Sequence, residues 1–254
     1  MLSTSIFGGV VEDGLKQISL HDRLCMKAFF DDAIKMDQIA HVLYFKNKPV
    51  SIIGKALKAK GRHFNDIFCL RGWYAFKKNE HLFPHPQFIF TESIISFDKS
   101  FKALHIYLIN KESLEMCLEQ HIHLFQETLG QEFNPRKFIA LLEEGHALDS
   151  LINKDEMLLG ILLGFGEESS KAFRRYEDHP DLPTVDTYCG IELERPKGCR
   201  INPVVFMGNP HSPQIKELIS IYENELEEIS KIYREKLDPL KMVLEKLCEL
   251  KTRE

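Results

Sequence analysis

Cys117 and His121 are four residues apart in a segment with helical spacing, so one helix would present a thiol and an imidazole on one face, as two ligands of a metal ion require. His123 would point elsewhere. Two ligands fall short of the three or four that zinc takes, and a half-buried cysteine beside an amphipathic histidine explains the same letters. The second candidate is LLGILLGFGEESSK, residues 158–171, an apolar run with three glycines that ends in hydroxyls and a lysine. A phosphate-cradling P-loop needs GxxxxGK followed by Ser or Thr, so that backbone N–H groups wrap the anion beside a lysine. Here Gly166 is followed by Glu167 and Glu168, and Lys171 arrives after the serines. The dinucleotide pattern GxGxxG fails too, because Ser169 occupies its third position and two acids stand where a pyrophosphate needs positive potential. The alternative is an amphipathic helix over 155–176, with Gly160 and Gly164 on one face for close packing. If that helix breaks, Gly164 and Gly166 become ligand-facing backbone.

Charge supplies the third candidate. Residues 46–82 hold Lys46, Lys48, Lys55, Lys58, Lys60, Arg62, Arg71, Lys77 and Lys78 against Asp66 and Glu80, a local excess of about +7 in a chain that is acidic elsewhere. Phe45, Phe64, Phe68, Trp73, Tyr74 and Phe76 interleave with these charges, a mixture suited to stacking bases beside phosphates. Lys55, Lys58, Arg62 and Trp73 are the residues that would carry such binding. Most of the aromatics also have the spacing of core positions. His85, between two prolines in the PHP of residues 84–86, sits in a rigid loop ahead of a strand that carries Glu92, and HPD at 179–181 is a similar case. No GxSxG, HExxH or local cysteine-protease signature is present.

The elements that must position these residues read as helices interleaved with short strands. Ser19 and Asp22 open a helix over 19–36, and residues 65–78 form another that ends before HLFPHP. AHVLYF and PVSIIG around KNK predict a hairpin, with Pro49 opening its second strand. QFIFTE and ALHIYLIN predict two more strands, and KESLEMCLEQHIHLFQETLG a helix closed by Gly130. Pro135 starts a helix through about residue 144. Two further strands are expected near 189–193 and 201–206. Over 212–236 Ile215, Leu218, Ile219, Tyr222, Leu226, Ile229, Ile232 and Tyr233 form one stripe, fit either to pack on the chain's own domain or to form a dimer seam. Asp238 and Pro239 start a last helix.

With 254 residues, 44% hydrophobic and 28% charged, 18 Phe and a net charge of -5, the chain is neither disordered nor fibrous and can bury a substantial core. No apolar stretch approaches the roughly 20 residues of a membrane span. The N-terminal MLSTSIFGGVVEDG lacks the basic region of a secretory signal. The expected location is the cytoplasm, or the exterior by a route without such a signal. Six scattered cysteines without a CxxC pair suit free thiols, with a bridge between Cys189 and Cys199 the one alternative.

AHVLYFKNKPVS, RGWYAFKKNEHLFPHPQFIF and MLLGILLGFGEESSKAF together resemble a group of uncharacterised proteins from intracellular bacteria, in which KPxS, GW and LLG-x-G segments recur in this order. The resemblance spans roughly residues 20–177. It implies a bacterial setting and carries no activity or catalytic residue.

The expected fold is α+β, one globular domain with a sheet of about five antiparallel or mixed strands, packed helices and a long C-terminal helix. Residues 1–211 form its core and 212–254 a helical segment packed on it. The function expected is that of a non-catalytic binding or interaction protein, monomer or homodimer, with a protein partner. A hydrolase with a dispersed His, Cys and carboxylate site and an anion or nucleic-acid binder using residues 46–82 are the alternatives. The sequence identifies no cofactor.

Overall fold

The computed structural model describes residues 4–58, 64–96, 101–178, 189–194, 196, 199–235 and 238–249, with backbone alone for 4–7, 58, 64–67, 175–178, 189, 190 and 192. After α1 (Thr4–Lys16), the Ser19 hydroxyl accepts the Asp22 N–H at 3.0 Å and starts α2 (Leu20–Met36), as its spacing predicts. A short α3 (Ile39–Tyr44) leads into β1 (Val50–Lys58), and α4 (Phe64–Asn79) leads through a 3-10 turn to β2 (Phe88–Ser96) and β3 (Lys102–Asn110). Then come α5 (Lys111–Gln120), α6 (Ile122–Leu129), α7 (Pro135–Glu143), α8 (Leu148–Leu151), α9 (Glu156–Leu162) and α10 (Gly166–Asp178). A hairpin of β4 (Cys189–Glu192) and β5 (Val205–Gly208) precedes α11 (Pro213–Glu235) and α12 (Pro239–Cys248).

The central sheet has the order β1-β3-β2 and is antiparallel throughout. Successive side chains of a strand face opposite ways, so β3 sends Leu104, Ile106 and Leu108 to one side and His105, Tyr107 and Ile109 to the other. The first face is covered by Phe29 and Phe30 of α2, Trp73 and Phe76 of α4, and Val243 and Leu247 of α12, all fully buried. The second is covered by Leu114 and Leu118 of α5, Phe125 of α6, Phe138 of α7 and Leu158 and Ile161 of α9. Helices thus close both faces of one small sheet. A third, smaller cluster joins the β4-β5 hairpin to Ile215 and Tyr222 of α11. Among the described residues no helix is long and apolar enough to cross a membrane.

Mixed helix and strand is as expected, but a single sheet of about five strands is not what forms. Among the described residues the strands divide into sheets of three and two. The expected hairpin around KNK is absent because residues 39–44 are helical: Ile39, Ala40, His41, Val42 and Leu43 are consecutive and all buried. A helix wedged between α2, the sheet and the C-terminal helices gives each of them cover, and this tertiary demand overrides their strand preference. The helix expected to run to Gly130 is divided at His121, which turns Leu124 and Phe125 into the core. Pro49 does precede β1, and its carbonyl accepts the Asn110 N–H at 2.9 Å. The α11 stripe packs on this chain, with Ile215, Tyr222, Leu226 and Ile229 buried, and Asp238 caps α12 through the Leu240 N–H.

Gly72 is where α2 and α4 touch. A Cβ there would overlap the Cys25 carbonyl and come within 2.6 Å of Phe29 Cβ. Gly72→Ala is therefore expected to lower stability by about 2 kcal/mol through forced separation of the helices. Gly9→Ala, on α1 with nothing within 4 Å of the added methyl, is expected to raise stability by up to about 1 kcal/mol through helix propensity. Urea midpoints of the two variants should move in opposite directions.

Candidate functional site

The second face of the sheet is not filled by the helices along its whole length. Between it, α9, α10 and β5 lies a cavity of about 520 Å³. Leu159 and Leu163 from the α9 segment, Phe165 from the turn before α10, Phe173 from α10 and Phe206 from β5 make its walls apolar. Glu156, Ser169 and Ser170 add polar groups from the helices, and others come from the sheet side. His105 and Tyr107 arrive there because they are two residues apart on β3, and Ser93 stands opposite His105 in the register. The short α8 supplies Asp149, itself only 7% exposed. One carboxylate oxygen of Asp149 accepts the Tyr107 hydroxyl at 2.6 Å and the other accepts the Ser93 hydroxyl. Burial pushes the Tyr107 phenol well above its ordinary range, and the Asp149 carboxylate adds to the effect. Burial also lowers the His105 pKa, against the pull of Asp149. An apolar chamber with a few converging polar groups is the usual form of a small-molecule site.

One wall of the chamber is set by a buried polar cluster. At the end of α9 the Gly164 N–H donates to the Ile161 carbonyl at 2.9 Å and the Phe165 N–H to the Gly160 carbonyl at 3.1 Å, a Schellman closure. Gly164 has φ +80° and Gly166 φ +74°, so the helix expected over 155–176 divides here into two. A Cβ on Gly164 would overlap the Tyr222 hydroxyl and the Asn47 carbonyl. Tyr222 donates to the Gly164 carbonyl at 2.8 Å, and the Lys48 ammonium donates to the Leu163 carbonyl at 2.9 Å while lying 5.0 Å from the Phe165 ring centroid. Beside them Glu225 accepts from His41 Nδ1 and from Asn47 Nδ2, each at 2.7 Å. Burial drives the Lys48 pKa down to about 7 despite the attraction of Glu225. It lowers that of His41 as well, against the Glu225 hydrogen bond. Among the described residues His41 Nε2 has no hydrogen-bond partner.

The residues singled out in the sequence are dispersed by the fold. Cys117 and His121 have different partners: His121, the C-cap of α5, has its Nδ1 4.0 Å from a Glu167 carboxylate oxygen. The Cys117 thiol donates to the Ile161 carbonyl at 3.6 Å, and burial pushes its pKa up to about 12, away from the thiolate a metal needs. No group of three or more His, Cys, Asp or Glu placed to hold a metal ion occurs among the described residues. Lys55 is buried on the first face of the sheet, bonded to Asp32 at 2.5 Å and Asp37 at 3.0 Å. Its burial is outweighed by those acids, so its pKa rises, while burial lifts Asp37 to about 6. Lys46, Lys77 and Lys78 are paired with Glu112, Glu80 and Asp22. The basic excess of this segment is therefore largely answered within the chain. The side chain of Lys58, the whole of Arg62 and the HPD at 179–181 lie outside the described residues.

Trp73 is fully buried among Phe29, Phe76 and Phe90, with its indole N–H donated to Glu92 at 2.8 Å, so it cannot stack on a ligand. His85 lines a different and wider concavity of about 720 Å³. Its two ring nitrogens face the Phe88 carbonyl at 2.9 Å and Glu80 at 3.0 Å, which makes both of them donors. Burial opposes that charge, but the Glu80 hydrogen bond and the Phe88 carbonyl prevail and the pKa is raised. His85 thus ties its loop to the helix end. Gly166 has open space beside it, whereas Gly164 is pressed against Tyr222 and exposes no free N–H. Cys199 is a free thiol that accepts the Ser230 hydroxyl at 2.9 Å, and the side chain of Cys189, its expected partner in a bridge, lies outside the described residues.

Of the sequence candidates, only the glycine segment borders the chamber. His105, Tyr107, Ser93 and Asp149 were not among them. The signal was present in ALHIYLIN, where a histidine and a tyrosine two apart must share one face of a strand, but Asp149 comes from a four-residue helix without a readable pattern. Comparison with protein families, with curated proteins and with solved structures finds no match for this chain.

Lys48 makes stability depend on pH. Its depressed pKa means that between about pH 7 and the ordinary lysine value the unfolded chain binds more protons than the folded one, so stability rises with pH across that window. The cost of the buried charge is fully present below it. Cys117 and Cys248, raised by burial, act in the opposite direction above about pH 8.5. The urea midpoint is expected to increase from pH 7 to about 8.5, and Lys48→Met should abolish that increase. Gly164→Ala adds strain at a positive φ to a collision with Tyr222, and is expected to cost about 2 kcal/mol or more by the same assay.

Proposed function

We propose that the protein is a non-catalytic binding protein whose ligand is a mainly apolar small molecule held in the chamber between the central sheet, α9, α10 and β5. The observation that carries this reading is the chamber's composition: a mainly apolar lining that includes Leu159, Leu163, Phe165, Phe173 and Phe206, with the hydrogen-bonded Asp149 carboxylate among its few polar groups. Its volume of about 520 Å³ is in the range of small-molecule sites. Monomeric proteins pack their interiors densely, so an apolar space of this size with an ordered polar end favours an occupant over a packing defect.

A hydrolase is the second reading, because His105 shares the chamber with Asp149. It lacks the usual chain of hydrogen bonds. Among the described residues no hydroxyl or thiol is bonded to either His105 nitrogen, and Asp149 orients a tyrosine and a serine instead of the imidazole. The anion-binding reading is weakened by the internal pairing of Lys46, Lys55, Lys77 and Lys78.

The binding reading is tested with a neutral apolar dye, N-phenyl-1-naphthylamine, whose fluorescence rises on leaving water. Saturable binding is expected, and Val205→Trp, at the exposed rim of the chamber, should weaken it by about tenfold by closing the entrance. Absent or non-saturable binding would remove the chamber as a site, as would a Val205→Trp variant that binds unchanged. Turnover of short p-nitrophenyl esters that disappears in His105→Ala would replace the binding reading with the catalytic one.

A further inference from the structure

The polar end of the chamber specifies which apolar molecule fits. Asp149 and Glu156 are the acids that line it, and no lysine or arginine does so among the described residues. Both donors that reach Asp149, the Ser93 and Tyr107 hydroxyls, are neutral. They satisfy one lone pair on each oxygen and leave the carboxylate without a counter-charge, although a carboxylate can accept about four hydrogen bonds. His105 is held toward its neutral form by burial, so it does not supply that charge at neutral pH. Lys48 does not line the chamber: its ammonium lies over the Phe165 ring and is directed to the Leu163 carbonyl. Ser169 adds a second, independent feature. It is 1% exposed and its side chain borders the chamber.

A buried carboxylate with neutral partners gains most from a cation that brings its own N–H donors. The rings of Tyr107, Phe165 and Phe206 border the same space, and aromatic faces attract an ammonium group. An anionic amphiphile would meet the opposite conditions. Resting on the chamber being a ligand site, we propose that it takes amphiphilic amines, with the ammonium group hydrogen-bonded to Asp149 and the apolar body against Leu159, Phe165 and Phe206. The Ser169 hydroxyl offers a further polar contact to a substituent of that body.

The test is displacement of N-phenyl-1-naphthylamine at pH 7 by octylamine, octanol and octanoate, which share one chain and differ in the head group. Octylamine is expected to bind about tenfold more tightly than octanol, with octanoate weakest, because a charge-assisted bond replaces a neutral one. Asp149→Asn should remove the advantage of the amine while leaving octanol within about threefold. Because Asp149 also holds Ser93 and Tyr107, a melting curve accompanies that variant. If Asp149→Asn fails to fold, the ranking on the unmodified protein decides, together with Tyr107→Phe, which frees a lone pair on Asp149 and should preserve the amine preference. Equal displacement by all three compounds, or preference for octanoate, overturns the amine assignment while leaving the chamber as a binding site. An amine preference that survives in folded Asp149→Asn also overturns it. If the dye and all three compounds fail to bind, the binding reading itself falls.

Discussion

Glu225 is buried in the middle of the protein, and the way it is satisfied ties together segments that are far apart in sequence. Its two oxygens accept from His41 on α3 and Asn47 in the following loop, and Lys48, the next residue, reaches the Leu163 carbonyl at the end of α9. Buried charges of this kind contribute little net stability, because desolvation offsets most of the attraction, but removing one partner leaves another uncompensated. The cluster therefore defines an arrangement more than it strengthens one. Its incomplete satisfaction points the same way: His41 Nε2 is buried with no donor among the described residues, a condition that costs about 1–3 kcal/mol in ordinary interiors.

What this arrangement fixes is the turn between α9 and α10. Lys48 and Tyr222 bond to consecutive carbonyls, those of Leu163 and Gly164, and the following Phe165 ring both covers the Lys48 ammonium and borders the chamber. Gly160 and Gly164 permit the approach, the former because its missing Cβ would stand 2.7 Å from Ser170 Oγ. The wall of the chamber is thus held by polar groups outside it, which leaves its own surface free to be apolar. A site positioned by rigid supporting contacts can discriminate between ligands that a pliable pocket would accept alike.

The sequence carried the local part of this structure. Caps at Ser19 and Asp238, proline at 49, and the α11 stripe are signals that lie within a few residues, and each forms the element it predicts. Where long-range burial decided, local preference failed. Residues 39–44 have the composition of a strand and fold as a helix because five consecutive side chains are enclosed. The basic residues of 46–82 look like a surface patch until the fold supplies Asp32, Asp37, Asp22 and Glu112 from elsewhere in the chain. The segments KPxS, GW and LLG-x-G proved to have packing roles: Lys48 meets Leu163, and Gly72 lets two helices touch.

The chamber itself was unreadable because its acid and its ring residues belong to different elements, and only the antiparallel register brings Ser93 opposite His105 while α8 sets Asp149 within hydrogen-bond reach of Ser93 and Tyr107. Period-two spacing on β3 predicts that His105 and Tyr107 share a face, yet it does not say whether that face is packed or empty. Gly54, which stands opposite His105 on β1 with nothing within 4 Å of its missing Cβ, supplies part of the answer. A bulky residue there would extend over the imidazole, and a glycine in a strand interior weakens the strand without packing anything. That weakness is consistent with a face kept open beside His105, where the sheet gives up side-chain contact in return for access.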